Sequence, residues 1–256
     1  MIRAARLQKI RHSLDRDGAV SVSDLAERYS KTPITIRRDL EFLEAEGFLT
    51  RSHGGAVLRA RPDYELSPYG TRQQEHSGQK ALVAKRAAEL VSDGDTLILN
   101  AGTTMRQMSR HLTRRKGLRI ATNGVTLIQE LAAAPGAQIL LLGGDVDFRK
   151  MGTVGPLAEA ALSDIHAPKA FLGITAISVD HGLSMHSPTE AQINAAFIEA
   201  ADEVTVVVDS SKFQTPALYR VTPLDAIHRI VTDSGLSPAI AEQIRAMGLD
   251  LIIVGG

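Results

Sequence analysis

From Gly78 to Val254 short apolar runs alternate with longer amphipathic ones, and this alternation narrows the fold further than any other feature of the chain. Strand-like runs fall at Thr96–Leu99, Leu118–Ala121, Gln138–Leu142, Ala170–Ile174, Val204–Val208, Ile227–Val231 and Leu249–Val254. Helical runs are expected at about 79–91, from Thr104 onward, and over about 125–133, 156–163, 189–200 and 238–246. Strands that are apolar on both faces and separated by helices make a mostly parallel sheet with helices on both sides. An α/β, doubly wound domain is therefore predicted for residues 78–256.

The first 58 residues follow a different rule. Leu7, Ile10 and Leu14 share one stripe of a first helix, which Asp17-Gly18 stops. Ser21–Asp24 supplies cap hydroxyls for a short second helix through Leu25, Ala26 and Tyr29. Ser30-Lys31 makes the turn, and Thr32-Pro33 opens a third helix, because proline at the first helical position gives up an N–H that has no intrahelical partner. Ile36, Leu40 and Leu43 line one face of that helix, and Arg38 points away from them. After Gly47, the runs Phe48–Arg51 and Ala56–Leu58 flank Ser52-His53-Gly54-Gly55 and read as a hairpin. Three helices followed by a hairpin describe a small winged helix-turn-helix domain over residues 1–58. Residues 59–77 are polar, carry two prolines and show neither period, so a linker is expected there.

Charge separates the same two parts. The chain holds 29 basic and 29 acidic residues, but residues 1–61 carry 12 basic and 8 acidic side chains, against 17 and 21 in the remainder. A basic front joined to an acidic body points to a polyanionic partner for the front. The third helix would enter the major groove of double-stranded DNA. Arg37 and Arg38 are candidates either for guanine edges or for phosphates; Lys31, Thr35 and Arg51 suit phosphate contacts, and Thr32 and His53 complete the interface.

The absence of cysteine excludes disulfides, thiol nucleophiles and thiolate metal sites, and fits a reducing, cytoplasmic compartment. No run of some 18 apolar residues occurs, so no membrane partner is expected. With no HExxH among the eight histidines and no GxGxxG, neither a metal nor a cofactor is expected.

In open parallel sheets ligands bind at the carboxyl ends of the strands. Asn100-Ala101-Gly102-Thr103-Thr104 follows a strand and opens a helix, offering free N–H groups and two hydroxyls to an anion. Thr122-Asn123 and Gly143-Gly144 end the next two strands, the second followed by a polar loop with Arg149 and Lys150. Asp209-Ser210-Ser211-Lys212 ends another, with Lys212 placed to meet a phosphate. The competing reading is an enzyme that isomerises or deaminates its ligand in the same cleft, with Asp145, Asp147, Asp180 and Glu190 as acid–base candidates by loop position. Asn100, standing where a carboxylate would act, cannot take up a proton at neutral pH.

Thr35–Leu40 (TIRRDL), Leu43-Glu44, Gly47 and Arg51–Ala56 (RSHGGA) resemble the DNA-binding signature of the DeoR family of bacterial transcriptional regulators. Asn100–Thr104, Thr122-Asn123, Leu142–Gly144, Gly152, Gly155 and Asp209–Phe213 resemble that family's effector domain in the same order. The chain departs from the family at Asn100, usually Asp, and at Lys31-Thr32-Pro33, where a Val-Ser pair is usual. The resemblance implies an effector domain similar to ribose-5-phosphate isomerase and the coenzyme A transferases. It also implies a repressor of a carbohydrate operon, released by a phosphorylated sugar, and Lys80 matches a lysine of the family. The effector residues expected are Lys80, Asn100, Gly102, Thr103, Thr104, Thr122, Asn123, Gly143, Gly144, Arg149, Lys150, Asp209 and Lys212. A homodimer or homotetramer is expected, since paired half-sites multiply the few base contacts of one reader.

Overall fold

The computed structural model describes residues 3–17, 19–45, 49–52, 54–58 and 69–255, and the chain divides into two units at residues 62 and 63. The first contains α1 (Arg3–Asp17), β1 (Ala19–Ser21), α2 (Val22–Tyr29), α3 (Pro33–Ala45), β2 (Leu49–Ser52) and β3 (Gly55–Leu58). Its core is Ile10 and Leu14 from α1, Val22 and Leu25 from α2, Ile36, Leu40 and Leu43 from α3, and Leu49 and Ala56 from the hairpin. Ser21 caps α2, its hydroxyl accepting the Asp24 N–H at 3.0 Å, and Ser30 ends that helix in the left-handed conformation (φ 51°).

The wing has three strands where the sequence predicts two. β1 pairs with β3 in the order β1-β3-β2. Three residues carry no readable period, so β1 was hidden in the cap of α2. The added strand explains Gly55: a Cβ there would lie 2.2 Å from the Val20 carbonyl oxygen, so only glycine lets β1 approach. His53 and Gly47 lie outside the described residues.

The second unit begins with α4 (Tyr69–Gln74) and α5 (Ser77–Ala88), so residues 69–77, expected as linker, are largely helical. A six-residue helix without an apolar stripe leaves no periodic signal. What holds it is polar: the Tyr69 hydroxyl lies 2.9 Å from Thr126 Oγ1, and Lys80 on α5 donates to the carbonyls of Arg72 within the helix and Glu75 just beyond it. There follow β4 (Thr96–Leu99), α6 (Thr103–Leu112), β5 (Arg119–Thr122), α7 (Val125–Leu131), β6 (Gln138–Leu141), β7 (Asp145–Asp147), β8 (Gly152–Val154), α8 (Pro156–Ser163), β9 (Ala167–Leu172), β10 (Ala176–Ser178) and β11 (Gly182–Met185). The chain continues with α9 (Pro188–Glu199), β12 (Ala201–Val207), β13 (Tyr219–Thr222), β14 (Arg229–Asp233), α10 (Pro238–Ala246) and β15 (Asp250–Val254).

Seven strands form one parallel sheet in the order β15-β14-β12-β9-β4-β5-β6. Successive side chains of β4 serve opposite faces: Leu97 and Leu99 join α5, α6 and α7, whereas Ile98 joins α8, α9 and α10. The sheet therefore has helices on both sides, as the alternation predicts. The chain builds outward from β4 to β6 and then returns to lay β9 on the other side of β4, so the topological switch point lies between β4 and β9. Two small antiparallel sheets, β7-β8 and β10-β11-β13, occupy stretches to which the sequence assigns no strand, because strands of three or four residues show no alternation.

Candidate functional sites

In the first unit α3 buries Ile36, Leu40 and Leu43 and leaves Arg37 and Arg38 exposed, as their spacing predicts. Neither arginine makes an ion pair among the described residues. Lys31 and Thr32 are exposed at the start of the helix and Thr35 is half-buried. Thr32 Oγ1 accepts the Thr35 N–H at 3.3 Å and lies 3.0 Å from the Thr35 hydroxyl, so Thr32 is the cap that Pro33 called for.

Arg51 behaves differently from expectation. Its guanidinium bonds Glu44 at 2.7 Å and Glu41 at 2.9 Å, and its own N–H reaches Glu44 at 3.0 Å. These backbone and side-chain hydrogen bonds from Arg51 hold the Glu44 carboxyl below its ordinary range. In this state Arg51 fastens the wing to α3 instead of presenting a free cation to a phosphate. The sequence also hid the role of Asp39. It is buried, with the guanidinium of Arg6 on both its oxygens and Arg3 Nε at 3.3 Å; Arg3 in turn stacks on the Phe42 ring 4.8 Å from its centre. The helix that exposes Arg37 and Arg38 is thus locked to α1 by charge as well as by apolar contact.

In the second unit a cavity of about 230 Å³ opens at the switch point, where the carboxyl ends of β4, β9 and β12 meet. Gly102 is the N-cap of α6 and supplies no side-chain acceptor, so the first-turn N–H groups of Thr103 and Thr104 are left for whatever enters. Of the residues anticipated from sequence, Lys80, Gly102, Thr103, Thr104, Lys150 and Lys212 line the cavity. Arg72, Glu75, Thr175, His186 and Gln214 line it too and were not foreseen.

Burial shapes the charges there. Lys80 is 3% exposed, its ammonium donating to the carbonyls of Arg72 at 2.6 Å and Glu75 at 2.7 Å; desolvation lowers its pKa and the Asp209 carboxylate opposes the shift. Desolvation likewise lowers the Arg72 guanidinium. Lys150 reaches Thr175 Oγ1 at 3.1 Å and is pushed down to about 8, again by burial, with Glu190 opposing. Four cationic side chains therefore share one wall system with Glu75, and a multiply charged anion would relieve their crowding.

The remaining anticipated residues do not line this cavity, and several of them hold together the framework around it. Asn100 Nδ2 donates to the Gly173 carbonyl at 2.8 Å and to Asn194 Oδ1 at 2.7 Å, while its Oδ1 accepts the Gly173 N–H at 2.8 Å. Thr122 Oγ1 accepts from the Gly124 N–H, and Asn123 bridges the Ala101 N–H to the Thr153 carbonyl, each at 2.7 Å. Gly143 and Gly144 lead from β6 into β7, and Arg149 is exposed and paired with Asp147. Asp209 caps the 3-10 turn Ser210–Lys212 by accepting the Ser211 N–H, which sets Lys212 at the cavity edge. Small polar residues at strand ends satisfy backbone groups as readily as they bind ligands, which is why the sequence could not separate these roles. Gly152 belongs to the same framework: a Cβ there would meet the Ala101 Cβ at 2.3 Å. Among the described residues no cluster of His, Asp and Glu is arranged to hold a metal ion. No described helix is long and apolar enough to cross a membrane.

A winged helix-turn-helix reader followed by an open parallel sheet with a cationic cavity at its switch point defines a class: regulators that couple a DNA-binding unit to a ligand sensor. The family models and the sequence relatives agree. The DeoR-like helix-turn-helix domain matches residues 6–61 and the DeoR C terminal sensor domain matches residues 75–234. The chain is 33% identical to the transcriptional repressor AccR of Agrobacterium fabrum, over 94% of both chains. It is 31% identical to the lactose phosphotransferase system repressor of Lactococcus lactis, over 95% of this chain and 96% of the relative. To the glycerol-3-phosphate regulon repressor of Escherichia coli it is 31% identical over 86% of both. A solved structure of ribose 5-phosphate isomerase from Methanocaldococcus jannaschii aligns with 54% of this chain and 55% of its own at 18% identity and a TM-score of 0.39. The chain belongs to the DeoR family of transcriptional regulators.

Proposed function

We propose that this protein is a cytoplasmic, non-catalytic transcriptional repressor that grips operator DNA through α3 and the wing and lets go when a phosphorylated sugar fills the cavity between β4, β9 and β12. The observation that carries the effector reading is the cavity itself. Open N–H groups of Thr103 and Thr104 converge there with Lys80, Lys150, Lys212 and Arg72, a set suited to a phosphate ester. The relatives named for lactose phosphotransfer and glycerol-3-phosphate regulons support a carbohydrate operon. Against turnover, Asp145 and Asp180 are exposed and Asp147 is paired with Arg149, so three of the four acid–base candidates stand off the cavity, and Asn100 is spent on structure. A homodimer or homotetramer gives the reader two half-sites, and release requires the sugar phosphate to bind more tightly to the state that fits DNA poorly.

The test pairs DNA selected from random duplexes by the full-length protein with a panel of sugar phosphates. At least one of them should dissociate the complex and raise the melting temperature of the free protein, without being converted to product by NMR. Absence of any thermal response to phosphorylated compounds, inorganic phosphate included, would reject the effector reading; product formation would restore the enzyme.

A further inference from the structure

Behind the main cavity, and sharing Ala101 and Lys150 with it, lies a recess of about 20 Å³ bordered by Asn100, Asn123, Glu190 and Asn194. Glu190 is 3% exposed, and neither of its carboxylate oxygens has a hydrogen-bond partner. A buried carboxylate without donors is costly, and such groups mark sites completed by something else. The neighbouring amides donate elsewhere, and none of them bonds the carboxylate. Asn100 Nδ2 is committed to Gly173 and Asn194, Asn123 Nδ2 to Thr153, and Asn194 Nδ2 to the Glu190 main-chain carbonyl at 2.7 Å. Lys150 Nζ stands 3.7 Å from Glu190 Oε1, close enough to balance its charge and too far to bond it.

We infer that Glu190 and Lys150 together read one hydroxyl group of the effector, inserted into this recess while the phosphate is held at the start of α6. The inference rests on the sugar-phosphate reading above and names the feature of the ligand that the second half of the site selects. A volume of this size admits a single water-sized group. The group must donate to Glu190 and can accept from Lys150, whose ammonium has three hydrogens and uses one on Thr175. A hydroxyl does both. An ammonium group cannot accept, and it would bring a second cation against Lys150; a methyl leaves the carboxylate unpaired. The effector class is therefore a phosphate ester carrying a neutral hydroxyl remote from the phosphate. In such a molecule the phosphate supplies attraction and the hydroxyl supplies discrimination, since a site built to bond a hydroxyl rejects analogues that lack it.

Calorimetric titration of the full-length protein, its E190Q variant and its E190A variant with three probes tests this: n-butyl phosphate, a panel of pentose and hexose phosphates, and glucosamine 6-phosphate beside glucose 6-phosphate. Unaltered protein should bind its best polyhydroxy phosphate at least tenfold more tightly than n-butyl phosphate, and glucosamine 6-phosphate no better than glucose 6-phosphate. Both variants should lose most of that gain while binding n-butyl phosphate within about twofold of the unaltered protein, which also shows that the cavity has kept its shape. Equal affinities for alkyl and polyhydroxy phosphates in the unaltered protein would overturn the inference and leave the phosphate site standing. A gain that survives in both variants, an equal loss of all probes, or preference for the amino sugar would overturn it too. Failure of every probe, alkyl phosphate included, would instead strike the sugar-phosphate reading on which it rests.

Discussion

Asn100, at the end of β4, donates from Nδ2 to Asn194 Oδ1 on α9 at 2.7 Å, and the same nitrogen serves the Gly173 carbonyl after β9. This amide pins the two sides of the switch point to each other and to the helix that carries Glu190. A carboxylate could accept the Gly173 N–H but would face two oxygens with nothing to donate.

Asn100→Asp should therefore destabilise the sensor unit by about 3 kcal/mol at neutral pH. Burial against oxygens raises the folded-state pKa of the new carboxyl above its unfolded value near 4. The deficit relative to the unaltered protein should thus be small below about pH 4, deepen as pH rises toward the folded pKa, and level off above it. Denaturant titrations at several pH values would reveal the trend; a deficit independent of pH would mean that the asparagine is not acting as a donor.

Lys150, pushed down to about 8, loses its charge within an accessible range. Affinity for a phosphate ester should fall roughly tenfold between pH 7 and pH 9, and Lys150→Met should flatten that dependence. The unfolded chain keeps this proton to about 10.4 and so binds more protons between 8 and 10.4; this lysine's share of stability consequently rises with pH across that window. The methionine variant should lack the rise, and titration calorimetry with pH-dependent melting would report both effects.

Removing Asp39 leaves the buried guanidinium of Arg6 without its partner. Asp39→Ala should weaken the first unit by about 3 kcal/mol, read as an increase of roughly a hundredfold in hydrogen exchange of core amides in α1 and α3. Phosphate binding by the sensor should not change. Unaltered exchange would show that the apolar contacts alone position α3.

Arg38→Ala should reduce operator affinity by about 1–3 kcal/mol. If Arg38 reads a base, the loss falls on the operator alone; if it holds a phosphate, random duplex suffers equally and the salt slope drops by about 1. Arg51→Ala should cost less binding, because its guanidinium is already held by Glu41 and Glu44. Gel-shift titrations over a salt series would separate these outcomes, and an Arg51 effect larger than that of Arg38 would show that the wing releases its arginine on DNA.

Much of this architecture was legible in the sequence because it rests on long periodic segments. The seven strands of the parallel sheet and most of its helices begin and end within a few residues of where alternation places them, as do α1, α2 and α3. What escaped was short or polar. β1, β7, β8 and α4 have three to six residues each, too few for a period to register. Six of the thirteen anticipated effector residues line the cavity, three of them from the glycine-threonine turn that opens α6. Asn100, Asn123 and Asp209 do not, because their hydrogen bonds close the framework and no pattern in one dimension reveals which groups meet across the sheet. Arg72 was invisible for a related reason: it sits in a polar, proline-bearing stretch that looks like tether and becomes cavity wall where Lys80 and Tyr69 fasten that stretch to the sensor.

That last arrangement sets a limit on how the molecule can be divided. A sensor cut to begin where regular alternation starts would keep Lys80 but discard both the oxygens its ammonium grips and the two side chains, Arg72 and Glu75, that flank them. Any hybrid regulator made by joining a foreign reader to this sensor must hand over no later than Tyr69, or it will inherit a binding chamber with one side missing.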